Sequence, residues 1–250
     1  MEQGQAAPSG LRSFTFEEAL EAGRTLGTLG TGCTGLDSML GGGYEEGKLT
    51  EVHGPSNSGK TQLAIQATVM AAARGWTSVY VDTESTFRPE RLAQIAERRG
   101  LDPQDALARV FSVRADDVDA QVRVVSRIKE DPRVSPAKLV VVDTVTKNFT
   151  LEFPGAERVG KRQGALAVYL NSVSIDAYLR RRVVLLTNRV ASVTRDGVSV
   201  DVGVGGLTLG RFLSKSVRLS RDGAGVLAVL DQAEAPRPPA RAGLSERGVE

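Results

Sequence analysis

From about residue 48 onward, short apolar runs alternate with longer stretches in which apolar residues recur every three or four positions. The runs predict strands at 48–53, 78–82, 110–113, 139–143, 183–187, 216–220 and 226–231. The helical periodicity predicts helices over 60–73, 88–99, 117–130 and 161–180. Strand and helix in alternation imply an α/β fold with a mainly parallel, twisted sheet, helices on both faces, and ligands at the carboxyl ends of the strands.

Ahead of this pattern, Phe16, Ala19 and Leu20 stand among Glu17, Glu18 and Glu21, which predicts a short amphipathic helix over 14–24. It is suited to dock on the domain's own flank or on a neighbour's. Residues 1–13 read as a flexible tail, 14–30 as a linker carrying that helix, and 31–250 as the core. Stretches 148–160 and 191–210 contain glycines and no clear period, so both read as mobile loops. The Pro-rich segment 235–239 reads as a surface linker.

Composition narrows the classes. A chain of 250 residues with 41% apolar content can bury one sizeable α/β domain. With 32 basic and 30 acidic residues the net charge is +2, so nucleic-acid contact must come from a local patch and not from a global field. Cys33 is the only cysteine and His53 the only histidine, which excludes an internal disulfide and a cysteine or histidine metal cluster. No apolar run approaches the roughly 18 residues that span a bilayer, and a cytoplasmic, nucleoid-associated protein is expected.

The sharpest chemical signal is Gly54-Pro55-Ser56-Asn57-Ser58-Gly59-Lys60-Thr61, set between the strand pattern Leu49 to His53 and a helix opening at Gln62. Two glycines flank a loop whose successive N–H groups can wrap a polyphosphate. Lys60 can neutralise the β and γ phosphates, and the Thr61 hydroxyl is placed to ligate Mg²⁺ at the helix start. A nucleoside triphosphate, ATP, with Mg²⁺ is the expected ligand.

Leu139 to Val142 form a continuous apolar run that delivers Asp143 to the same end of a buried strand, where the carboxylate can hold the Mg²⁺ shell, usually through water. Tyr80-Val81-Asp82-Thr83-Glu84 is a second strand ending in carboxylates. Glu84 is the favoured water-orienting group for hydrolysis. Asp82 reads equally as a cap for the helix beginning at Pro89.

These segments together resemble the RecA/RadA recombinase superfamily. The resemblance rests on Thr31-Gly32-Cys33 through Asp37, Leu40-Gly41-Gly42-Gly43, the phosphate loop, Tyr80 through Leu92, Leu139 through Asp143, and Leu186-Thr187-Asn188, in that order over about residues 14–231. Within the superfamily the chain most resembles the archaeal RadB branch: Thr208-Leu209-Gly210 and the closing Ser245 to Glu250 look like it, and no helix-hairpin-helix domain precedes the core in this sequence.

The resemblance implies Lys60, Thr61 and Asp143 as nucleotide and Mg²⁺ residues and Glu84 as the catalytic carboxylate, with Lys60 assisting. It places Arg88 and Arg91 against the adenine base, although both also read as solvated helix charges. It makes the two loops DNA-facing, with Lys147, Arg158, Lys161, Arg162 and Arg211 as phosphate contacts and Phe149 and Phe153 as stacking surfaces for single-stranded DNA. Asn188 and Arg189 stand as γ-phosphate sensor candidates, and Arg189 departs from the glutamine usual there. Ser85 replaces the usual glycine after the catalytic carboxylate. Phe16-Glu17-Glu18-Ala19 matches the Phe-x-x-Ala filament element of such proteins, displaced by three residues from its usual spacing.

The leading expectation is a weakly hydrolysing, DNA-binding recombination mediator that works with a RadA-type recombinase and has a possible homo-oligomeric state. Competing readings are a self-sufficient strand-exchange recombinase, a KaiC-like signalling ATPase without a DNA role, and a nucleotide-gated scaffold with negligible turnover.

Overall fold

The structure is a computed structural model that describes residues 26–195, 198–223, 225–232 and 238–250. The tail, the 14–24 helix with its Phe16 and Ala19, and Ala235 to Arg237 of the Pro-rich segment lie outside the described residues.

The strands are β1 (Thr28–Leu29), β2 (Tyr44–Glu45), β3 (Leu49–His53), β4 (Ser78–Asp82), β5 (Val110–Arg114), β6 (Leu139–Asp143), β7 (Val183–Asn188), β8 (Val190–Arg195), β9 (Val198–Gly203), β10 (Leu213–Asp222), β11 (Gly225–Gln232), β12 (Ala240–Ala242), β13 (Leu244–Ser245) and β14 (Gly248–Val249). The helices are α1 (Thr34–Leu40), α2 (Lys60–Ala73), α3 (Pro89–Arg98), α4 (Pro103–Ala108), α5 (Val118–Glu130), α6 (Lys147–Glu152), α7 (Val159–Arg180) and α8 (Gly206–Gly210).

Eight strands form the main sheet in the order β12-β11-β10-β3-β7-β6-β4-β5. All neighbours from β10 to β5 run parallel, and β11 and β12 add antiparallel pairs at one edge. Every residue of β3, β4, β6 and β7 is buried, which is why β6 and β7 read as near-continuous apolar runs, while β3 buries Thr50, Glu51 and His53 among its apolar residues. One core cluster joins α1, α2 and α3 to one face, around Leu36, Ile65, Leu92 and Val217. A second joins α5 and α7 to the other, around Val81, Val125, Val142 and Leu170. Helices on both faces, as expected, leave the strand ends for chemistry.

Register sets those ends level. His53 lies opposite Asn188, and Asp82 opposite Asp143. The carboxyl ends of four adjacent strands therefore present their last polar residues along one line.

Two segments expected as loops are structured. Within 148–160 the chain forms α6, started by the Thr150 N–H donating to the Thr146 carbonyl at 3.0 Å and packed through Phe149, which is fully buried. Within 191–210 it forms the antiparallel β8–β9 pair followed by α8. The alternation Val198-Ser199-Val200-Asp201-Val202 was the strand signal there, obscured by the surrounding glycines.

Candidate functional site

The central strand β3 turns sharply at Gly54 because β10 passes too close for a side chain: a Cβ there would sit 2.3 Å from the Leu219 carbonyl oxygen and 2.8 Å from Ser58 Oγ. Asn57 adopts the left-handed conformation at φ 62°, which asparagine tolerates better than most residues, and Gly59 enters α2 at φ 99°. The loop thus ends on the amino terminus of a 14-residue helix, whose first N–H groups lack intrahelical partners. Pro55, Ser56 and Asn57 are exposed, whereas Lys60 is buried and its Nζ donates to the carbonyls of Gly54 at 3.0 Å and Pro55 at 2.7 Å.

Asp143 closes β6 at 1% exposure. Its Oδ2 accepts from Thr61 Oγ1 at 3.0 Å and from the Tyr80 hydroxyl at 2.6 Å, and its Oδ1 accepts from Thr187 Oγ1. Burial pushes the Asp143 carboxyl above the ordinary aspartate value, against the downward pull of those three hydroxyls. Burial by itself lowers the Lys60 ammonium; Asp143 and Glu84 pull it back up, and Arg189 pushes it down. Lys60, Thr61, Asp143, Glu84 and Arg189 therefore share one electrostatic neighbourhood.

Glu84 lies just past β4. Its Oε1 accepts from Thr144 Oγ1 at 3.0 Å and from Arg189 Nε at 2.8 Å, with Arg189 Nη2 on the same oxygen. Asp82 has the structural of its two expected roles, though not as a helix cap. Its carboxylate accepts from the backbone N–H groups of Glu84 at 3.0 Å, Thr86 at 3.2 Å and Phe87 at 3.0 Å, and so shapes the turn that presents Glu84. Arg88 holds the N-cap position of α3, with Pro89 in its first turn.

Asn188 binds four ways from the end of β7. Its Nδ2 donates to Glu51 Oε1 and to the Val204 carbonyl, both at 2.7 Å; its Oδ1 accepts from Thr146 Oγ1 at 2.7 Å and from the Arg189 N–H at 2.9 Å. Val204 N in turn donates to the Arg189 carbonyl at 3.0 Å, closing the base of the β8–β9 pair.

The two arginines expected at the base differ. Arg88 is exposed and, among the described residues, donates to the nearby carbonyls of Ser85 and Phe87. Arg91 spends its donors on Gln62 Oε1 at 2.7 Å, on Gln94, and on the carbonyls of Ser245 at 2.6 Å and Glu246 at 3.2 Å, tying α3 to the β13–β14 pair.

The basic set expected to face DNA also divides. Arg158, Lys161 and Arg211 are exposed. Arg162 donates to the Phe153 carbonyl at 2.7 Å, and Lys147 Nζ donates to the Thr83 carbonyl, on the nucleotide side. Phe149 is not a stacking surface: it is fully buried, 5.6 Å from the ring of Tyr169. An aromatic one turn into a helix that packs on the core is recruited inward, and the sequence window around it gave no sign that α6 existed.

Tyr80, Thr144 and Thr187 were not anticipated as site residues. The signal for two of them was present. Tyr80 precedes Asp82 by two positions and so shares its face of the strand, and Thr187 interrupts an apolar run at the level where Asp143 ends its own.

The residues fit a magnesium-bound triphosphate. Thr61 Oγ1 and Asp143 Oδ2 converge to 3.0 Å at the foot of α2, a hydroxyl and a carboxylate of the hard-oxygen set that Mg²⁺ takes beside phosphates. The cradle that a Cβ at position 54 would destroy lies beside them, and no described helix is long and apolar enough to cross a membrane.

The sequence matches the Rad51 family model over residues 24–249. The eight-stranded, mostly parallel sheet with helices on both faces is the RecA-like core of that family. The chain belongs to the Rad51 family, RecA-like ATPases of DNA recombination and repair.

Proposed function

We propose that this protein binds ATP with Mg²⁺, hydrolyses it slowly, and acts on DNA as a RadB-like recombinase paralogue that assists a RadA-type recombinase. The observation that carries the reading is the meeting of Thr61 with Asp143 across 82 positions of sequence at the foot of α2, with Glu84 at the end of the adjacent strand β4. Gly54 to Gly59 wrap the phosphates through backbone N–H groups, and Lys60 leaves its two loop carbonyls for the β and γ oxygens. Thr61 and Asp143 would hold the Mg²⁺ at the foot of α2. When bound, the ion neutralises charge building on the phosphates and orients the γ group. Glu84 orients the attacking water and accepts its proton as the new P–O bond forms and ADP leaves with the old one.

Slow turnover is supported by Arg189, which stands in place of the usual neutral glutamine and whose ion pair with Glu84 must be broken before that carboxylate can act on water. DNA binding is supported by the exposed Arg158, Lys161 and Arg211 and by the family. Family members also oligomerise, and β5, at one edge of the sheet, pairs among the described strands with β4 alone, beside a cavity of about 310 Å³ lined by Val79, Phe111, Val113, Val124 and Ile128 together with Arg114 and Arg127. A strand from a second family member fits that edge.

The test is nucleotide binding by a fluorescent ATP analogue with phosphate release measured in parallel. Lys60→Ala is expected to abolish binding, while Glu84→Gln is expected to bind ATP and lose about 10²-fold or more of its turnover. Undiminished binding by Lys60→Ala overturns the reading. DNA affinity that does not fall with added salt overturns its nucleic-acid half.

A further inference from the structure

Arg189 begins the segment leading into β8 and β9, and its guanidinium is more than half exposed while it grips Glu84. The grip falls on one oxygen only: Nε and Nη2 of Arg189 and Oγ1 of Thr144 all donate to Glu84 Oε1. Asn188, the residue before Arg189, lies opposite His53 in the β3–β7 register, so Arg189 leaves the sheet beside Gly54, where the phosphate loop begins. The guanidinium therefore stands within range of the place where the terminal phosphate of a triphosphate would lie, and it is held elsewhere by a carboxylate with a single negative charge. Arg189 is bidentate by nature and binds phosphate in the same fork geometry as carboxylate.

We infer that Glu84 and the γ-phosphate compete for the Arg189 side chain, so that a triphosphate, and not a diphosphate, releases Glu84 from its ion pair. Arg189 is on this account a positioning residue: it acts through Glu84 in one state and recognises phosphate in the other. The main chain makes the exchange directional. The Arg189 N–H is fixed by Asn188 Oδ1 and its carbonyl by Val204 N–H, so only the side chain is free to change partner. ADP, lacking the third phosphate, leaves the Glu84 pair intact.

The inference rests on the nucleotide reading of this site, and the two are separated by a double-mutant cycle on the full chain. Affinities are measured for ADP and for the non-hydrolysable analogue with nitrogen bridging the β and γ phosphates, in the wild type, Glu84→Ala, Arg189→Ala and the double variant. Removing the competitor in Glu84→Ala is expected to tighten the triphosphate analogue about two- to fivefold, the range for an exposed charge pair, and to leave ADP unchanged. In the Arg189→Ala background the same substitution is expected to lose that gain.

Simple repulsion between Glu84 and the phosphates makes the opposite prediction. Its gain grows once Arg189 no longer shields the carboxylate, and such a result overturns the inference while leaving the site reading intact. Equal gains in both backgrounds also overturn it. Glu84→Gln, which keeps the shape of the side chain, is expected to give the same sign and guards against a folding artefact. Absence of any binding by the wild type removes the site reading, and this inference with it.

Discussion

Ser85 holds a backbone conformation that a side chain disfavours. It follows Glu84 in the turn shaped by Asp82 and adopts φ 60°, the left-handed region in which a Cβ crowds the following carbonyl. Glycine, usual at this position in proteins that the sequence resembles, takes that conformation freely. The left-handed conformation costs an ordinary residue about 1–2 kcal/mol, and the greater freedom of glycine in the unfolded chain returns about 0.5–1 kcal/mol of this. Ser85→Gly is therefore expected to stabilise the protein by roughly 0.5 kcal/mol, the difference of those two terms, read as a higher urea midpoint at unchanged slope. Ser85→Ala keeps the Cβ and is expected to change nothing. A lower midpoint for the glycine variant places the strain elsewhere. The same residue scale explains Asp82: three backbone donors converge on its carboxylate, and no pattern of apolar residues could have announced them.

At the scale of elements, the join between α7 and the sheet depends on a charge. Arg182 follows the left-handed Arg181 that ends α7, and its side chain is fully buried. Nε lies 2.9 Å from Asp176 Oδ2, Nη2 donates to the Ser135 carbonyl at 3.0 Å, and Nη1 donates to the Ala137 carbonyl. These bonds pin the helix to the loop that feeds β6, and so set the level at which Asp143 emerges. Arg182→Ala leaves Asp176 buried at 8% side-chain exposure with only Arg180 nearby, at 3.4 Å. A loss of about 3–5 kcal/mol is expected by denaturant unfolding, since a broken buried pair costs far more than an exposed one. A loss under about 1 kcal/mol, as for a surface pair, would sink the assignment.

Elements of this kind were unevenly legible in the sequence. Strands β6 and β7 were readable because a parallel strand buried on both faces is largely apolar, β3 by its alternation of apolar and polar residues, and α2 because the phosphate loop marks its start. The elements α1, α4, α6 and α8 were not, since helices of five to seven residues complete too few turns for a period to emerge. The capping Asp102 followed by Pro103 was nevertheless a usable sign for α4. Within the site, Lys60, Thr61, Asp143 and Glu84 were legible because their roles attach to strand ends and a loop. The grip of Arg189 on Glu84 was not, because it joins positions 105 residues apart through side-chain geometry alone.

Across the whole molecule, a buried polar network ties together four strands of the sheet. Glu51 on β3 accepts from Ser216 on β10 at 2.6 Å and from Asn188 on β7 at 2.7 Å, and His53 stands 3.4 Å from it with Asp231 of β11 at 3.1 Å on its far side. Burial alone would raise the Glu51 carboxyl, but His53, Ser216 and Asn188 together bring it below its ordinary value of 4.5. A carboxylate depressed in the folded state stabilises the fold above its unfolded value, and that stabilisation is lost as pH falls through the depressed one. Glu51→Gln is thus expected to be less stable than the wild type at neutral pH, with the gap closing in acid below 4.5. A gap that is constant across that range, measured by urea unfolding, removes the charge of Glu51 from the account.

Asn188 has a consequence of another kind. One carboxamide grips β3 through Glu51, the residues after β6 through Thr146, and the base of the β8–β9 arm through Val204. With all of these held by a rigid planar group, a shift at the phosphate end has no slack in which to dissipate before it arrives at the arm. Motion there is geared and not damped, and any inherited change at this position would alter the input and the output of the machine together.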